Sequence, residues 1–104
     1  MREYTKGENS GGGFKFNVRA TTVIRNREGV HARTAAIFVQ MAEKFKSRIV
    51  IAARDKIVDA KSILMLVNMG LTCGTEITIM ADGSDAFDAV ASLKRLIDEK
   101  FGEE

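Results

Sequence analysis

The single histidine of the chain, His31, stands two residues before Arg33 in the stretch GVHARTAA (29–36). Apolar residues recur at helical spacing from residue 32 onward, so we expect His31 at the N-cap of a helix. The first backbone N–H groups of a helix have no intrahelical partner, and the helix dipole makes that end positive. Both features favour a bound anion and a neutral imidazole, and a neutral imidazole is a nucleophile. The stretch is therefore a candidate site of phosphoryl transfer.

The neighbours of His31 suit a phosphoryl group. If the imidazole attacks phosphorus, the oxygens of the product can bind the free N–H groups around Ala32, while the Arg33 guanidinium adds charge-assisted hydrogen bonds. Gly29 lets the backbone turn tightly beneath the ring. A histidine that only caps the helix or lies on the surface fits the position equally well, and this alternative stays open. A metal site is not expected, because no second histidine or clustered cysteine stands nearby.

Seven stretches with regular periodicity must position these residues. Alternating apolar residues predict strands, and apolar residues three or four apart predict helices. The predicted strands are 14–24, RIVIAA (48–53), KIVDA (56–60) and TEITIMA (75–81), and the predicted helices are about 31–45, ILMLVNM (63–69) and the segment from Ser84 to Phe101. This order predicts an α+β domain of order βαββαβα, with a four-stranded antiparallel sheet and three helices on one face.

One folded domain preceded by a tail is expected. The chain has 104 residues, 45% of them apolar, which suffices for one modest core. Residues 1–13 are polar and end in three glycines, a composition that favours a flexible tail. The expected domain covers residues 14–104.

The composition argues against several other classes of protein. Sixteen basic and fourteen acidic residues are interspersed and give a formal net charge of +2, so no basic stripe for nucleic acid is expected. Cys73 is the only cysteine, and the first residues lack the apolar run of a secretory signal. No uncharged apolar stretch approaches the roughly 18 residues of a membrane span. We therefore expect a soluble cytoplasmic protein without membrane insertion.

Three stretches, GVHARTAAIFVQMA, AKSILMLVNMGL and GTEITIMADGSDAFDAVASL, resemble the HPr family, the histidine-containing phosphocarriers of the bacterial phosphotransferase system. The resemblance covers about residues 18–100 and implies an open-faced β-sandwich. It implies that phosphorylated enzyme I places a phosphoryl group on Nδ1 of His31, that Arg33 steadies this group, and that an enzyme IIA domain receives it. Sugar uptake and the nitrogen-related branch both remain open. The chain would be a monomer without a cofactor, and a substrate of phosphotransferases rather than an independent catalyst.

Ser62 precedes the second predicted helix, and its residue type predicts an N-cap. The resemblance implies a second role, because in many related bacteria a dedicated HPr kinase/phosphorylase phosphorylates the matching serine. That kinase is a candidate partner beside enzyme I and enzyme IIA. The alternative function is therefore an HPr-like regulatory protein that acts through Ser62 phosphorylation and partner binding rather than through phosphoryl transfer.

The second predicted helix is more apolar than one buried face requires. If Leu66 and Met69 point into the core, other apolar side chains are left partly exposed, and the resemblance places them in a surface used by enzyme I and enzyme IIA. Met65 is expected to be ordinary packing, and full burial of the helix under the preceding loop is the alternative. The predicted docking patch consists of Ala36, Ile37, Gln40, Ile63, Leu64 and Val67.

Two residues depart from the family's usual pattern. Thr34 stands where proline is usual, and proline suits the first turn of a helix because its missing N–H has no intrahelical partner there. We therefore expect Thr34 to loosen the helix start, and Thr34→Pro to stabilise the fold by about 0.5 kcal/mol. Glu28 stands where a small polar residue is common, and its carboxylate is expected to lie beside the imidazole and to repel a phosphate.

Overall fold

The computed structural model of the chain describes residues 4–6 and 17–103. The strands are β1 (Tyr4–Lys6), β2 (Val18–Val23), β3 (Arg48–Ala53), β4 (Lys56–Asp59) and β5 (Glu76–Asp82). The helices are α1 (Ala32–Ala42), α2 (Ile63–Asn68) and α3 (Ala86–Asp98), and a 3₁₀ turn follows at Lys100–Gly102. No helix in the described ranges is long and apolar enough to cross a membrane.

The strands form one sheet in the order β1-β2-β5-β3-β4, and each neighbouring pair is antiparallel. From β2 onward, the chain follows the predicted order of strand, helix, strand, strand, helix, strand and helix. The predicted α+β fold, with four antiparallel strands and three helices, is therefore confirmed.

β1 is an additional strand at the edge of this sheet. It pairs with β2, with Tyr4 opposite Ala20 and Lys6 opposite Val18. The edge of a sheet presents unpaired backbone N–H and C=O groups, and three residues of extended chain satisfy some of them. This strand lies within the segment 1–13 that the sequence predicts as a flexible tail. The other residues of that segment, and residues 14–16 of the predicted first strand, lie outside the described residues.

The core lies between the sheet and the helices. β-branched residues alternate along the strands, so that one face of the sheet points inward. α3 covers this face with a stripe of apolar residues at helical spacing. The buried residues that carry this packing are Ile49, Ile51, Ile77 and Ile79 on the strands and Val90, Leu93 and Ile97 on α3. These are the faces that the sequence predicts.

α1 is shorter than predicted and buries a slightly different face. The helix ends at Ala42, with Glu43 as its C-cap, rather than at residue 45. Phe38 belongs to the buried face, whereas Ala32, with which the apolar periodicity begins, is exposed. Ala32 is the first residue of the helix, so the helix begins at the protein surface.

Candidate functional site

His31 is the N-cap residue of α1, as the sequence predicts. Its backbone is extended, with φ −119° and ψ −171°, and its C=O accepts the first helical hydrogen bond from Ala35 N at 2.8 Å. Its ring nitrogen Nδ1 accepts a hydrogen bond from Arg33 N at 3.3 Å. A ring nitrogen that accepts carries no proton, and an unprotonated nitrogen is the one that can attack phosphorus. The reactive lone pair therefore lies beside the N–H groups of the helix start.

Thr34 ties the start of α1 instead of loosening it. Its hydroxyl oxygen accepts a hydrogen bond from His31 N at 2.9 Å, and the hydroxyl lies within donating distance of Gly29 O, at 3.2 Å. The side chain is fully buried. The predicted loosening by Thr34 is therefore wrong, because its side chain acts as a capping-box partner for the N-cap residue.

Gly29 makes a tight turn two residues before His31, as predicted. Its φ is +71°, a conformation that glycine adopts at low cost. A Cβ atom at this position would lie 2.4 Å from Leu71 O, which itself accepts a hydrogen bond from Val30 N at 2.8 Å. The loop before α1 and the loop after α2 thus pack against each other, and this contact stabilises the turn that leads into His31.

A carboxylate holds the Arg33 side chain beside the imidazole. Arg33 Nη2 donates to Glu103 Oε2 at 2.5 Å, and Asn26 Nδ2 donates to Glu103 Oε1 at 3.1 Å. The pKa of Glu103 is lowered mainly by the hydrogen bond from Arg33 and to a smaller extent by the hydrogen bond from Asn26. In turn, the Glu103 carboxylate raises the pKa of Arg33. Glu103 Oε2 also lies 3.7 Å from His31 Nε2. The Arg33 guanidinium thus binds the Glu103 carboxylate next to the imidazole ring. The same group can bind the oxygens of a phosphoryl group.

Sequence reasoning missed both Glu103 and Asn26. Asn26 is fully buried, and Glu103 is 70 positions away from Arg33 along the chain. Residues 100–102 all have a positive φ, and this reversal brings the following residue to the start of α1. Gly102 is the only sequence signal of such a turn, and it does not indicate which group the turn would bring to Arg33.

The second ring nitrogen of His31 faces carboxylates. Nε2 is buried without a hydrogen-bond partner among the described residues, 3.6 Å from Glu28 Oε1 and 3.7 Å from Glu103 Oε2. The predicted position of Glu28 beside the imidazole is thus confirmed, although the carboxylate faces Nε2 rather than Nδ1. In the part of the chain that the structure describes, no group of three or more potential ligand side chains could hold a metal ion.

Ser62 is the N-cap residue of α2, as predicted. Its Oγ accepts a hydrogen bond from Met65 N at 3.2 Å. The preceding residue, Lys61, donates to Phe45 O at 2.8 Å and to Ser47 O at 3.1 Å, which ties its side chain to the loop after α1. The capping role of Ser62 is thus visible in the structure, whereas its phosphorylation stays a prediction.

The outer face of α2 is apolar. Ile63, Leu64 and Met65 are 42%, 71% and 49% exposed, whereas Leu66 and Met69 are buried. Full burial of α2 is therefore excluded. The expectation that Met65 is ordinary packing is wrong, because it belongs to this exposed face.

The remaining members of the predicted docking patch are less exposed. α1 packs against α2, and Gln40 on α1 is exposed. Ala36, Ile37 and Val67 are half-buried. The patch therefore lies at the surface, and its use by partners stays a prediction.

Comparison with known proteins finds one family over most of the chain. Residues 18–99 match the family described as PTS HPr component phosphorylation site. Phosphocarrier protein HPr of Treponema pallidum (strain Nichols) is 44% identical over 85 residues, which cover 81% of this chain and 96% of that protein. HPr-like protein Crh of Bacillus subtilis (strain 168) is 36% identical over 83 residues, or 80% of this chain and 98% of Crh.

The solved structures agree with the sequence comparison. The crystal structure of HPr from Thermoanaerobacter tengcongensis has a TM-score of 0.80 to this chain at 43% identity, and the match covers 83% of this chain and 97% of that one. The matched segment contains both helix starts, at His31 and at Ser62. On these grounds of sequence and fold, the chain belongs to the HPr family of phosphocarrier proteins.

Proposed function

We propose that the chain carries a phosphoryl group in a phosphotransferase system, and that His31 Nδ1 accepts it from phosphorylated enzyme I and passes it to an enzyme IIA domain. The observation that carries this proposal is the hydrogen bond from Arg33 N to His31 Nδ1. It places the ring lone pair on the same side as the N–H groups of the helix start, where an anion binds well.

The transfer step is a displacement at phosphorus. The lone pair of Nδ1 leaves its hydrogen bond with Arg33 N and forms the new bond to phosphorus, while the bond between phosphorus and the donor breaks and its electron pair stays with the donor. Charge on the three phosphoryl oxygens is stabilised by the N–H groups of Ala32 and Arg33 and by the Arg33 guanidinium. Glu103 occupies the guanidinium before transfer, so a phosphoryl oxygen must displace or share this contact. No metal or cofactor is needed in this scheme.

The docking patch supplies the partner contacts in this proposal. Leu64 is the most exposed of its apolar side chains, and an exposed leucine next to Ile63 and Met65 can anchor an interface. Donor and acceptor would bind this surface in turn. We further propose that the carrier acts as a cytoplasmic monomer and that residues 14–104 form the carrier domain, whose sheet the preceding segment joins at its edge through β1.

A second candidate function is regulation through Ser62. The observation that favours it is the position of this half-buried serine directly beside the exposed Ile63 and Leu64. A phosphate there would add a charge of roughly −2 to the docking patch. The two functions are compatible, because one uses the start of α1 and the other the start of α2.

The experiment that tests the main proposal is phosphorylation by enzyme I and phosphoenolpyruvate, with labelled phosphate. We expect one acid-labile, base-stable adduct in the wild-type protein and none in His31→Ala. Label retained by His31→Ala would contradict the proposal. Discharge of the labelled protein by enzyme IIA domains of the sugar and nitrogen branches then identifies the branch, because the proper acceptor should remove the label faster.

A further inference from the structure

The Nε2 atom of His31 lacks a hydrogen-bond partner that its chemistry requires. Nδ1 accepts from Arg33 N, so a neutral ring must carry its proton on Nε2. Nε2 is buried, and no described residue accepts a hydrogen bond from it. Buried polar atoms in proteins are normally hydrogen-bonded. An acceptor close to Nε2 would therefore decide how stable this tautomer is.

Two carboxylates lie within reach, and they differ in what else they bind. Glu103 Oε2 accepts from Arg33 and Oε1 accepts from Asn26, so each of its oxygens already accepts one hydrogen bond and these contacts hold the carboxylate in place. Glu28 Oε1 lies 3.6 Å from Nε2, and its side chain is 70% exposed. An exposed side chain can change rotamer and close the remaining gap to a hydrogen bond. Arg33, the cation that also faces these groups, is already held by Glu103.

We propose that Glu28 is a positioning residue for the His31 ring, whose carboxylate accepts the Nε2–H hydrogen bond and so keeps the lone pair on Nδ1. A carboxylate that orients the imidazole of a catalytic triad works in the same way, since it fixes the tautomer and stabilises the imidazolium. Here the group is supplied by a residue three positions before the histidine, on the loop that Gly29 turns.

The second consequence concerns the phosphorylated ring and rests on the proposed function. When Nδ1 bonds to phosphorus and the donor bond breaks, the proton stays on Nε2 and the ring becomes cationic. The Glu28 carboxylate stabilises this cation. A protonated ring is also the better leaving group, so the same contact keeps the phosphoryl group ready for onward transfer to the next acceptor.

The first test follows the tautomer of His31 in the unphosphorylated protein by nitrogen-15 NMR. His31 is the only histidine, so its ring signals need no further assignment. At roughly pH 8.5, where imidazoles are neutral, we expect Glu28→Gln to raise the fraction of the Nδ1–H tautomer about threefold, the size expected when an exposed hydrogen bond to a charged acceptor is weakened. Glu43→Gln, which removes a carboxylate from the C-cap of the same helix, should leave this fraction unchanged.

Two results would overturn the inference. One is a Glu28→Gln protein with the tautomer ratio of the wild type. The other is a rise in the fraction of the Nδ1–H tautomer in Glu103→Gln but not in Glu28→Gln, which would assign the role to Glu103. Glu28→Asp retains the carboxylate and should recover most of the wild-type ratio.

The second test uses the phosphorylated protein. We expect the bound phosphate of Glu28→Gln to hydrolyse about threefold more slowly than that of the wild type near neutral pH, because fewer rings carry the Nε2 proton. Equal rates would contradict the role of Glu28 in the charged ring. If the wild-type protein takes no label while Glu28→Gln still shows the tautomer shift, the proposed function is overturned and the role of Glu28 is supported.

Discussion

The helix starts at His31 and Ser62 share their capping chemistry but differ in the charged groups beside them. At the start of α1, His31 Nδ1 accepts from a backbone N–H, and the nearby Arg33 guanidinium binds the Glu103 carboxylate. At the start of α2, Ser62 Oγ accepts from a backbone N–H, and the nearby Lys61 ammonium binds two backbone carbonyls. α1 has eleven residues and α2 only six.

This difference indicates which helix start can exchange anions. A carboxylate on a side chain can be replaced by a phosphoryl oxygen, because both are oxyanions that a guanidinium binds in the same fork geometry. A backbone carbonyl that holds Lys61 belongs to the fold and cannot leave. The start of α1 is therefore suited to transient phosphoryl binding, whereas the start of α2 is a structural cap beside an apolar surface.

The largest effect is expected from Arg33→Ala. Removal of the guanidinium should slow phosphoryl transfer from enzyme I about 100-fold, since it removes a charged donor to the transferred group. The melting temperature should change little, because the side chain is 67% exposed. Rapid-quench transfer kinetics and a thermal melt measure the two quantities.

The matched control for Arg33→Ala is Lys61→Ala. It should have the opposite profile, with nearly normal transfer and a loss of about 1 kcal/mol in the free energy of unfolding, because Phe45 O and Ser47 O lose their donor. Equal slowing of transfer in both variants would show that the two cations do not differ in role.

A smaller effect on transfer is expected from Ser62→Asp. The aspartate can still cap α2, but its charge beside Ile63 and Leu64 must be desolvated when a partner covers the docking patch. We expect phosphorylation of His31 to slow by at least about tenfold, or roughly 1.4 kcal/mol, with little change in melting temperature.

Ser62→Ala is the control for that variant. It should transfer phosphate at nearly the wild-type rate and lose up to about 1 kcal/mol of stability, because Met65 N loses its acceptor. A Ser62→Asp protein that transfers as fast as the wild type would show that the docking patch is misplaced.

The third prediction reverses the expectation from sequence for Thr34→Pro. A proline would restrict the unfolded chain, a gain of about 0.5 kcal/mol, but it would remove the buried hydroxyl that accepts from His31 N and lies against Gly29 O. Loss of that cap should cost about 1 kcal/mol, so the net stability should fall. Urea unfolding measures it, and Thr34→Ser, which keeps the hydroxyl, should stay closer to the wild type. A proline variant as stable as the wild type would contradict the capping role.

The smallest effect is a dependence on pH that only the first helix start should show. The hydrogen bond from Arg33, and to a smaller extent that from Asn26, holds the pKa of Glu103 below its ordinary value of 4.5. Because the pKa of the Glu103 carboxyl is lower in the folded state, its ionisation stabilises that state at pH values above the ordinary pKa. This contribution is lost as the pH falls through the folded-state pKa.

Glu103→Gln should therefore flatten the acid limb of the stability profile, measured by urea unfolding from about pH 7 down to about pH 3. The cap at Ser62 contains no titrating group, so Ser62→Ala should lower the curve by a similar amount at every pH in this range. An acid limb that Glu103→Gln leaves unchanged would mean that the contact with Arg33 adds nothing to folding.

The sequence by itself determined the features that depend on neighbours along the chain. Periodicity predicted the order of strands and helices because the pleat and the helical turn repeat every two and 3.6 residues. Residue type predicted Ser62 as an N-cap and Gly29 as a turn, because capping and positive φ are local. The start of the apolar periodicity at residue 32 predicted His31 as the other N-cap. The spacing of His31 and Arg33 likewise placed an imidazole and a guanidinium on the first turn of one helix.

Only the tertiary structure decided which groups complete the site. Glu103 reaches Arg33 because Phe101 is buried in the core and the chain reverses at residues 100–102, and no local pattern encodes a contact across 70 positions. The exposure of Met65 and the pairing of β1 depend on what packs beside them, which spacing does not specify. Thr34 was misjudged for the same reason, since its hydroxyl acts through backbone atoms that only the folded turn brings within hydrogen-bond distance.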